Sequence, residues 1–207
     1  MKVNLMFVLL SLAFLSGATP VEKKAPSAKI VSIPRIEIPA MEVEKSNLRY
    51  DNKTSSWSLD GQCYSGYAIS RFENGRLKQR FGVFEGKKHN EALEWYPNGS
   101  LKFLSNYHLG KLHGEKKMWS NEPEHILLSH LHYHLGKAHG TQKKWYPNGK
   151  IFKILNMNMG REEGLQRAFR QNGGLFANYE VRNGRNFGLK RASLCFSLAD
   201  EEVQVYE

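Results

Sequence analysis

The sequence predicts an all-β fold: an elongated antiparallel β-hairpin repeat meander, with about five 24-residue repeats in a single curved sheet. Two turn motifs that recur at a fixed period, and strands of alternating polarity between them, predict this fold. The composition agrees with it. A content of 41% hydrophobic residues favours a folded chain, and 18 Gly with 12% aromatic residues favour turns and strands over long helices.

The first turn motif is the dipeptide Asn-Gly, which is typical of tight type I′ hairpin turns with positive φ at both residues. It recurs at steps of 24, 50 and 24 residues, at Asn74-Gly75, Asn98-Gly99, Asn148-Gly149 and Asn172-Gly173. Each pair predicts a turn between two strands.

The second turn motif is Gly-Lys-x-His-Gly or a relative of it. It recurs at steps of 24, 26, 24 and 24 residues, starting at Gly86, Gly110, Gly136, Gly160 and Gly184. A two-residue insertion near residues 121–123 explains the irregular steps in both series. A fixed period of this length is the signature of a repeat architecture.

The segments between the turns read as strands, because apolar and polar residues alternate along them. The returning strands carry a large aromatic residue at the same repeat position, namely Trp95, Trp119, Trp145 and Phe169. Together with Tyr107 and Tyr133, these aromatic residues are expected to line one face, which is the predicted binding surface. Trp119 and Trp145 are expected to be largely buried if that face forms the core.

Two longer motifs keep these positions in register. Trp-Tyr-Pro-Asn-Gly occurs at residues 95–99 and 145–149, and Tyr-His-Leu-Gly-Lys-x-His-Gly occurs at 107–114 and 133–140. They resemble the MORN-variant repeats of many bacterial proteins, some of which are named as antitoxin-like. The resemblance covers roughly residues 61–188, and it implies a stacked array of hairpins with atypical repeats at its ends.

The ends of the chain differ in composition from the repeats. Residues 1–18 combine Lys2, an apolar run and the small residues Ser16-Gly17-Ala18, which predicts a signal peptide and a secreted or periplasmic protein. The alternative, a membrane anchor, needs an apolar run of about 20 residues. Three further segments are predicted: a Pro/Lys-rich linker at 19–45, whose residues 30–38 dock on the repeats, a repeat domain at 46–195, and an acidic C-terminal tail at 196–207.

The formal net charge of +10 favours an acidic partner. Since the chain is predicted to be exported, the expected partner is a protein or an anionic envelope component, either a lipid headgroup or a polysaccharide, and not a nucleic acid. The basic residues expected to contribute are Lys116, Lys117, Lys143 and Lys144. Alternatively, such lysines keep a long sheet soluble and its edges unpaired.

Histidines suggest an alternative function, an envelope protein that binds Zn or Cu. His130, His132 and His134 alternate along one strand and therefore share a face, although their spacing of about 6.6 Å lets at most two neighbours share one ion. His108 holds the place of His134 one repeat earlier and could add a ligand. By contrast, His89, His113 and His139 belong to the turn motif and are expected to bond to local backbone.

No motif for catalysis accompanies these residues. The sequence has no Gly-x-Ser-x-Gly elbow and no phosphate-binding Gly-rich loop before a helix. The chain is therefore predicted to be non-enzymatic and to need no cofactor. Cys63 and Cys195 fall near opposite edges of the array in the repeat register, so no disulfide is expected between them. The sequence leaves the oligomeric state open.

Overall fold

The computed structural model describes residues 36–121 and 123–189, and the backbone of 198–199 and 202–203. The predicted signal peptide, most of the predicted linker and most of the predicted tail lie outside these residues. The chain divides into the units Met1–Ile36 and Glu37–Glu207, and all the described strands belong to the second. Within the described residues, no helix is long and apolar enough to cross a membrane.

The described chain consists mainly of β-strands joined by turns, as predicted. A single 3₁₀ turn covers Lys45–Asn47. The strands, in chain order, are β1 (Glu42–Glu44), β2 (Arg49–Asp51), β3 (Ser56–Leu59), β4 (Gln62–Cys63), β5 (Gly66–Arg71), β6 (Leu77–Phe84), β7 (Lys87–Trp95), β8 (Leu101–His108), β9 (Lys111–Trp119), β10 (Leu127–His134), β11 (Lys137–Ala138), β12 (Gly140–Trp145), β13 (Ile151–Asn158), β14 (Arg161–Glu162), β15 (Gly164–Phe169), β16 (Leu175–Arg182), β17 (Arg185–Leu189), β18 (Leu198–Ala199) and β19 (Glu202–Val203).

The strands form one large sheet and two small ones. The large sheet has 14 strands, ordered β1-β5-β6-β7-β8-β9-β10-β12-β13-β15-β16-β17, with β11 beside β10 and β14 beside β13. Its pairs are antiparallel except β1 with β5, which run parallel. Strands β2 to β4 form a three-stranded sheet, and β18 pairs with β19. The repeat region is thus the predicted hairpin meander.

The Asn-Gly turns are not type I′, and that prediction is wrong. In the turn after β7, Gly99 has a φ of 91° whereas Asn98 is not in the positive-φ region. The amide of Gly99 donates to the carbonyl of Tyr96 over 2.9 Å, which closes a type I turn followed by a left-handed glycine. Pro97 suits this conformation, because proline fixes a negative φ at the first central position of such a turn. The turns at Asn74-Gly75 and Asn172-Gly173 adopt the same conformation without a proline.

The second motif supplies the type I′ turns instead. Leu109 and Gly110 both have positive φ, 44° and 83°, as do the equivalent pairs at Glu85-Gly86, Leu135-Gly136, Met159-Gly160 and Asn183-Gly184. The amide of Gly110 donates to the carbonyl of Lys88, in the preceding repeat, over 2.7 Å. Since Gly136 and Gly160 make the equivalent bond, these three turns are each fastened to the repeat before them.

Tyrosines fasten neighbouring repeats at the opposite edge. The hydroxyl of Tyr96 donates to the carbonyl of Trp119 over 2.9 Å. The hydroxyl of Tyr146 makes the equivalent bond to Phe169 over 2.8 Å. The tyrosine of the Trp-Tyr-Pro-Asn-Gly motif therefore links one repeat to the next.

The core lies towards the two ends of the large sheet. At the N-terminal end, the three-stranded sheet and the residues around it cover one face, in a cluster of Leu48, Tyr64, Ala68, Phe81 and Val83. Trp57 packs on Phe81, with ring centroids 5.2 Å apart. At the other end, the buried residues are Ala168, Ala177, Tyr179 and Val181. Trp119 and Trp145 are of intermediate burial and belong to neither of these clusters.

The end of the predicted linker is part of the fold. Strand β1 lies within residues 19–45 and pairs with β5. Ile38 packs over Gly82, where an added Cβ would collide with Cδ1 of Ile38 and with the carbonyl oxygen of His89. The last residue of the segment 30–38 therefore docks on the repeats, as predicted.

Two buried glutamines complete the backbone hydrogen bonding where strands are interrupted. Gln166 is fully buried, and its Oε1 accepts the amide of Asn156 over 2.9 Å while its Nε2 donates to the carbonyl of Asn156 over 2.8 Å. Gln142 bonds to His132 in the same way. A side-chain amide thus replaces the ladder bonds that are missing between β13 and β15, and between β10 and β12.

Candidate functional site

The strand register separates the candidate residues onto two faces. Residues that are direct cross-strand partners point to the same side of the sheet. One such row, from β6 to β10, consists of Phe81, Ala92, Ser105, Lys116 and Leu131, and we name the side to which it points the groove face. The next row consists of Leu93, Leu104, Lys117, His130 and Lys143, and its side is named the histidine face.

The predicted basic cluster is split between these faces. Lys116 lies on the groove face and Lys117 on the histidine face, because neighbouring residues of a strand point to opposite sides. Lys144 pairs with Ser129 and Lys143 with His130, which places them on the groove and histidine faces respectively. The four lysines therefore do not form one surface.

An open groove of about 260 Å³ lies on the groove face. Its lining includes Lys88, Glu94, Phe103, Tyr107 and Lys116. Nζ of Lys88 is 4.7 Å from the ring centroid of Phe81 and 5.3 Å from that of Tyr107. Burial, and next the charge of Lys45, lower the pKa of Lys88. Within the described residues, no carboxylate forms an ion pair with this amine.

A second groove, of about 560 Å³, shares Lys88 with the first. It is lined by Tyr50, Trp57, Lys87 and Lys111, among others. The rings of Tyr50 and Trp57 are 4.7 Å apart between centroids. The two grooves together are named the double groove, a surface of aromatic rings surrounded by lysines.

The predicted aromatic set is only partly assembled here. Tyr107 lines the double groove, whereas Trp95, Trp119 and Trp145 each end a strand next to an Asn-Gly turn or its equivalent. Trp119 stacks on His125, with centroids 5.8 Å apart and planes 11° apart. Tyr133 pairs with Gly114 on β9 and does not line the double groove.

Sequence reasoning missed two central residues of the double groove, Lys88 and Trp57. Lys88 directly follows the first residue of a strand, and Trp57 lies on the small sheet, outside the clear repeats. A lysine and an aromatic residue at these positions look like ordinary surface residues in the sequence. Only the packing of β3 against β6 brings them together.

Five histidine rings follow one another along the edge that carries the type I′ turns. The centroids of successive rings are 5.1, 6.0, 5.1 and 6.0 Å apart, in the order His89, His108, His113, His134 and His139. We name this set the histidine ladder. Burial, followed by the charges of His134 and His108, lowers the pKa of His113, which favours the neutral form of this ring.

The turn histidines of the ladder bond to backbone, but to that of the next repeat and not to the local backbone that was expected. Nδ1 accepts an amide of the next type I′ turn in three cases: from Leu109 to His89 over 3.3 Å, from Leu135 to His113 over 3.4 Å, and from Met159 to His139 over 3.4 Å. An accepting Nδ1 in a neutral ring places the proton on Nε2. These histidines therefore join consecutive repeats.

A different group of three side chains meets in the middle of the histidine face. Nε2 of His130 is 3.0 Å from Oε1 of Glu115, and Nε2 of His132 is 3.8 Å from the same oxygen. The two imidazole rings have centroids 4.5 Å apart. One potential ligand atom from each residue lies within 4.8 Å of the others. We name Glu115, His130 and His132 the histidine cluster.

This grouping corrects the predicted metal site. His108 and His134 do not belong to it, because their rings lie between turn histidines in the ladder. All three histidines of β10 share a face as predicted, but His134 stands at the strand end beside the turn. Sequence reasoning also missed Glu115, which comes from the neighbouring strand as the direct partner of His132.

Hydrogen bonds define the charge state of the histidine cluster. The ammonium of Lys117 donates to Oε2 of Glu115 over 2.6 Å, and this bond is the main reason why the pKa of Glu115 is lowered. Burial lowers the pKa of His130 by more than Glu115 raises it. The arrangement is therefore an ionised carboxylate beside a neutral imidazole. Nδ1 of His132 donates to the carbonyl of Thr141 over 2.7 Å.

Comparison with protein families places this geometry in a known repeat type. The model of the MORN repeat variant family matches residues 88–108 and 138–158. Each match contains an Asn-Gly turn together with strands on both sides of it.

This chain carries MORN-variant repeats.

Comparison with curated proteins finds no match. Of the two candidate regions, only the double groove has residues within the matched segments. The first match includes Lys88, Phe103 and Tyr107 of the double groove. The histidine cluster lies between the two matches, in β9 and β10.

Proposed function

We propose that this chain is an exported, non-enzymatic binding module whose double groove takes up an anionic polysaccharide of the cell envelope. The observation that carries the proposal is Lys88. Its amine is half-buried between the rings of Phe81 and Tyr107 and is not ion-paired within the described residues. A partly buried cation without a counter-ion costs free energy, which an anionic ligand would offset.

The chemistry of the surface supports a polymer rather than a small ligand. The grooves are open and contiguous, and they present aromatic faces with lysines around them. Aromatic rings offer flat apolar surfaces for sugar rings, and lysines attract acid groups. On the same face, Lys144 stands directly opposite Lys153. Like charges in such a pair are destabilising, so a bound anion would relieve their repulsion.

The proposal is tested by titrating the purified protein with polygalacturonate and with neutral dextran. We expect binding to polygalacturonate that weakens with salt, and none to dextran. Lys88→Gln should weaken the binding about tenfold or more, corresponding to at least ~1.4 kcal/mol. Lys150→Gln is the matched control, because it removes the same charge from an exposed turn residue outside both grooves.

Two results would overturn this proposal. One is an equal loss of affinity in both variants, which would mean that net charge alone attracts the polymer. The other is tight binding of an acidic protein from the envelope with no binding of polygalacturonate, which would assign the double groove to a protein partner.

Export is tested separately. The protein recovered from the envelope or the medium should begin at Thr19, directly after the small residues Ser16-Gly17-Ala18. Recovery of a chain that still begins at Met1 from the cytoplasm alone would contradict export.

A further inference from the structure

We propose that Glu115, His130 and His132 form a binding site for a divalent transition-metal ion such as Zn²⁺. The site lies on the histidine face, whereas the double groove lies on the groove face. The inference therefore does not depend on the proposed polysaccharide binding.

The distances in the cluster suit a metal ion. Bonds of about 2.0–2.1 Å to zinc place tetrahedral ligands roughly 3.3 Å apart. The cluster has ligand atoms 3.0 and 3.8 Å apart, and all three within 4.8 Å of one another. Small side-chain rotations thus bring them to bonding distance. The side chains are 23%, 38% and 42% exposed for His130, His132 and Glu115, so an ion can enter and keep water as a further ligand.

The hydrogen bonds around the cluster prepare its ligand atoms. Because Nδ1 of His132 donates to the carbonyl of Thr141, the lone pair of the neutral ring is on Nε2, which faces Glu115. Such a bond from the far nitrogen to a carbonyl is how metal-binding histidines are usually oriented. Lys117 holds Oε2 of Glu115, which leaves Oε1 towards the two imidazoles.

The repeat explains how this orientation arose. Asn106 and Asn156 occupy the position of His132 in the neighbouring repeats, and their amides donate to the equivalent strand carbonyls of Glu115 and Leu165. His132 makes the same bond with Nδ1. The substitution of histidine at this position therefore keeps the structural bond and adds a nitrogen ligand on the exposed side.

The histidine ladder is a poorer site for the same ion. Three of its five rings use Nδ1 to accept a backbone amide. Within the described residues, no carboxylate joins two ladder histidines in a group of three potential ligands. His108 thus provides a matched control: it is a half-buried histidine of the same sheet that was a candidate ligand by sequence but lies outside the cluster.

The experiment is calorimetric titration of the purified full chain with ZnCl₂, repeated for His132→Gln, Glu115→Gln and His108→Gln. We expect one ion per chain, with affinity lowered at least about tenfold in the first two variants and unchanged in the third. Thermal unfolding provides a second readout. Zn²⁺ should raise the unfolding midpoint of the wild type and of His108→Gln, and leave that of His132→Gln unmoved.

The proposal is overturned by the absence of stoichiometric binding to the wild type. It is equally overturned if His132→Gln, shown to be folded by its unfolding transition, binds Zn²⁺ as tightly as the wild type. A loss in His108→Gln as large as the loss in His132→Gln would assign the ion to the ladder instead. Polygalacturonate binding should be the same in all these variants, which keeps this test separate from that of the double groove.

Discussion

The histidine ladder and the histidine cluster use the same residue type in opposite ways. In the ladder, ring contacts follow the repeat, and Nδ1 of the turn histidines accepts backbone amides. In the cluster, Nδ1 of His132 donates to backbone and Nε2 faces a carboxylate. The ladder repeats, whereas the cluster occurs once in the part of the chain that the structure describes. Residues that recur from repeat to repeat join the repeats together. Residues that depart from the repeat pattern are the better candidates for binding.

The departures that create the cluster are visible position by position. Leu104 and Ile154 stand where His130 stands in its own repeat, and Asn106 and Asn156 stand at the position of His132. The histidine ladder also ends where the sequence departs from the repeat. The strand position that His108 and His134 occupy is held by Phe84 before the first histidine and by Asn158 after the last one. The amide of Asn158 donates to Glu163, which replaces the turn histidine.

The largest expected effect is the loss of stability in His89→Ala. His89 is 3% exposed, and its removal leaves a cavity and an unpaired amide at Leu109. We expect a cost of about 2–3 kcal/mol in urea unfolding. His132→Ala, in the exposed cluster, should cost less than ~1 kcal/mol. Equal costs would mean that the ladder has no special structural role.

A smaller loss of stability is expected from a substitution in an Asn-Gly turn, at the edge of the sheet that lacks the histidine ladder. Gly149 has a φ of 78° and no neighbouring atom within 4 Å of an added Cβ, so the cost of Gly149→Val comes from the backbone alone. We expect more than ~1 kcal/mol in urea unfolding. Gly149→Asn should cost less, because Asn tolerates positive φ. Identical stability of the Val variant and the wild type would contradict the assigned turn conformation.

The smallest effect on stability at neutral pH is expected for Tyr179, which lies beyond the end of the histidine ladder. Tyr179 donates to Glu162 over 2.8 Å, and burial first, then this carboxylate, raises its pKa from 10.0 to about 12. A raised folded pKa stabilises the fold fully below about pH 10, and that stabilisation is lost as the pH rises towards about 12.

Urea midpoints of the wild type should therefore fall between about pH 10 and pH 12, and those of Tyr179→Phe should fall less. The same pH dependence in both proteins would show that Tyr179 does not keep its proton through this contact. Glu162 lies next to Glu163, the residue that replaces the turn histidine in this repeat. The result therefore also shows whether Glu162 stabilises the C-terminal end of the repeat array.

The hairpins and the positions of their turns could be predicted because turn residues and alternating polarity are local signals. The turn types could not, since Pro97 and the Asn98-Gly99 pair favour different turns and only the folded hairpin shows which preference prevails. The candidate metal site was half predicted: His130 and His132 share a face by their spacing, as expected.

The remaining ligand depended on long-range register. Glu115 meets His132 only because β9 pairs with β10 in one particular register. A shift of one residue would place Lys116 there instead. The environment of Lys88 likewise depends on the packing around Phe81 and Tyr107, which no local pattern reveals.

The most direct test of the central claim is the position of the ring proton in each histidine, measured by long-range ¹H–¹⁵N correlation NMR on ¹⁵N-labelled protein at neutral pH. We expect the Nε2–H form for His89, His113 and His139, whose Nδ1 atoms accept turn amides. We expect the Nδ1–H form for His132, which donates to Thr141. An Nε2–H form at His132, or Nδ1–H forms throughout the turn histidines, would contradict the division into a structural ladder and a ligand-bearing cluster.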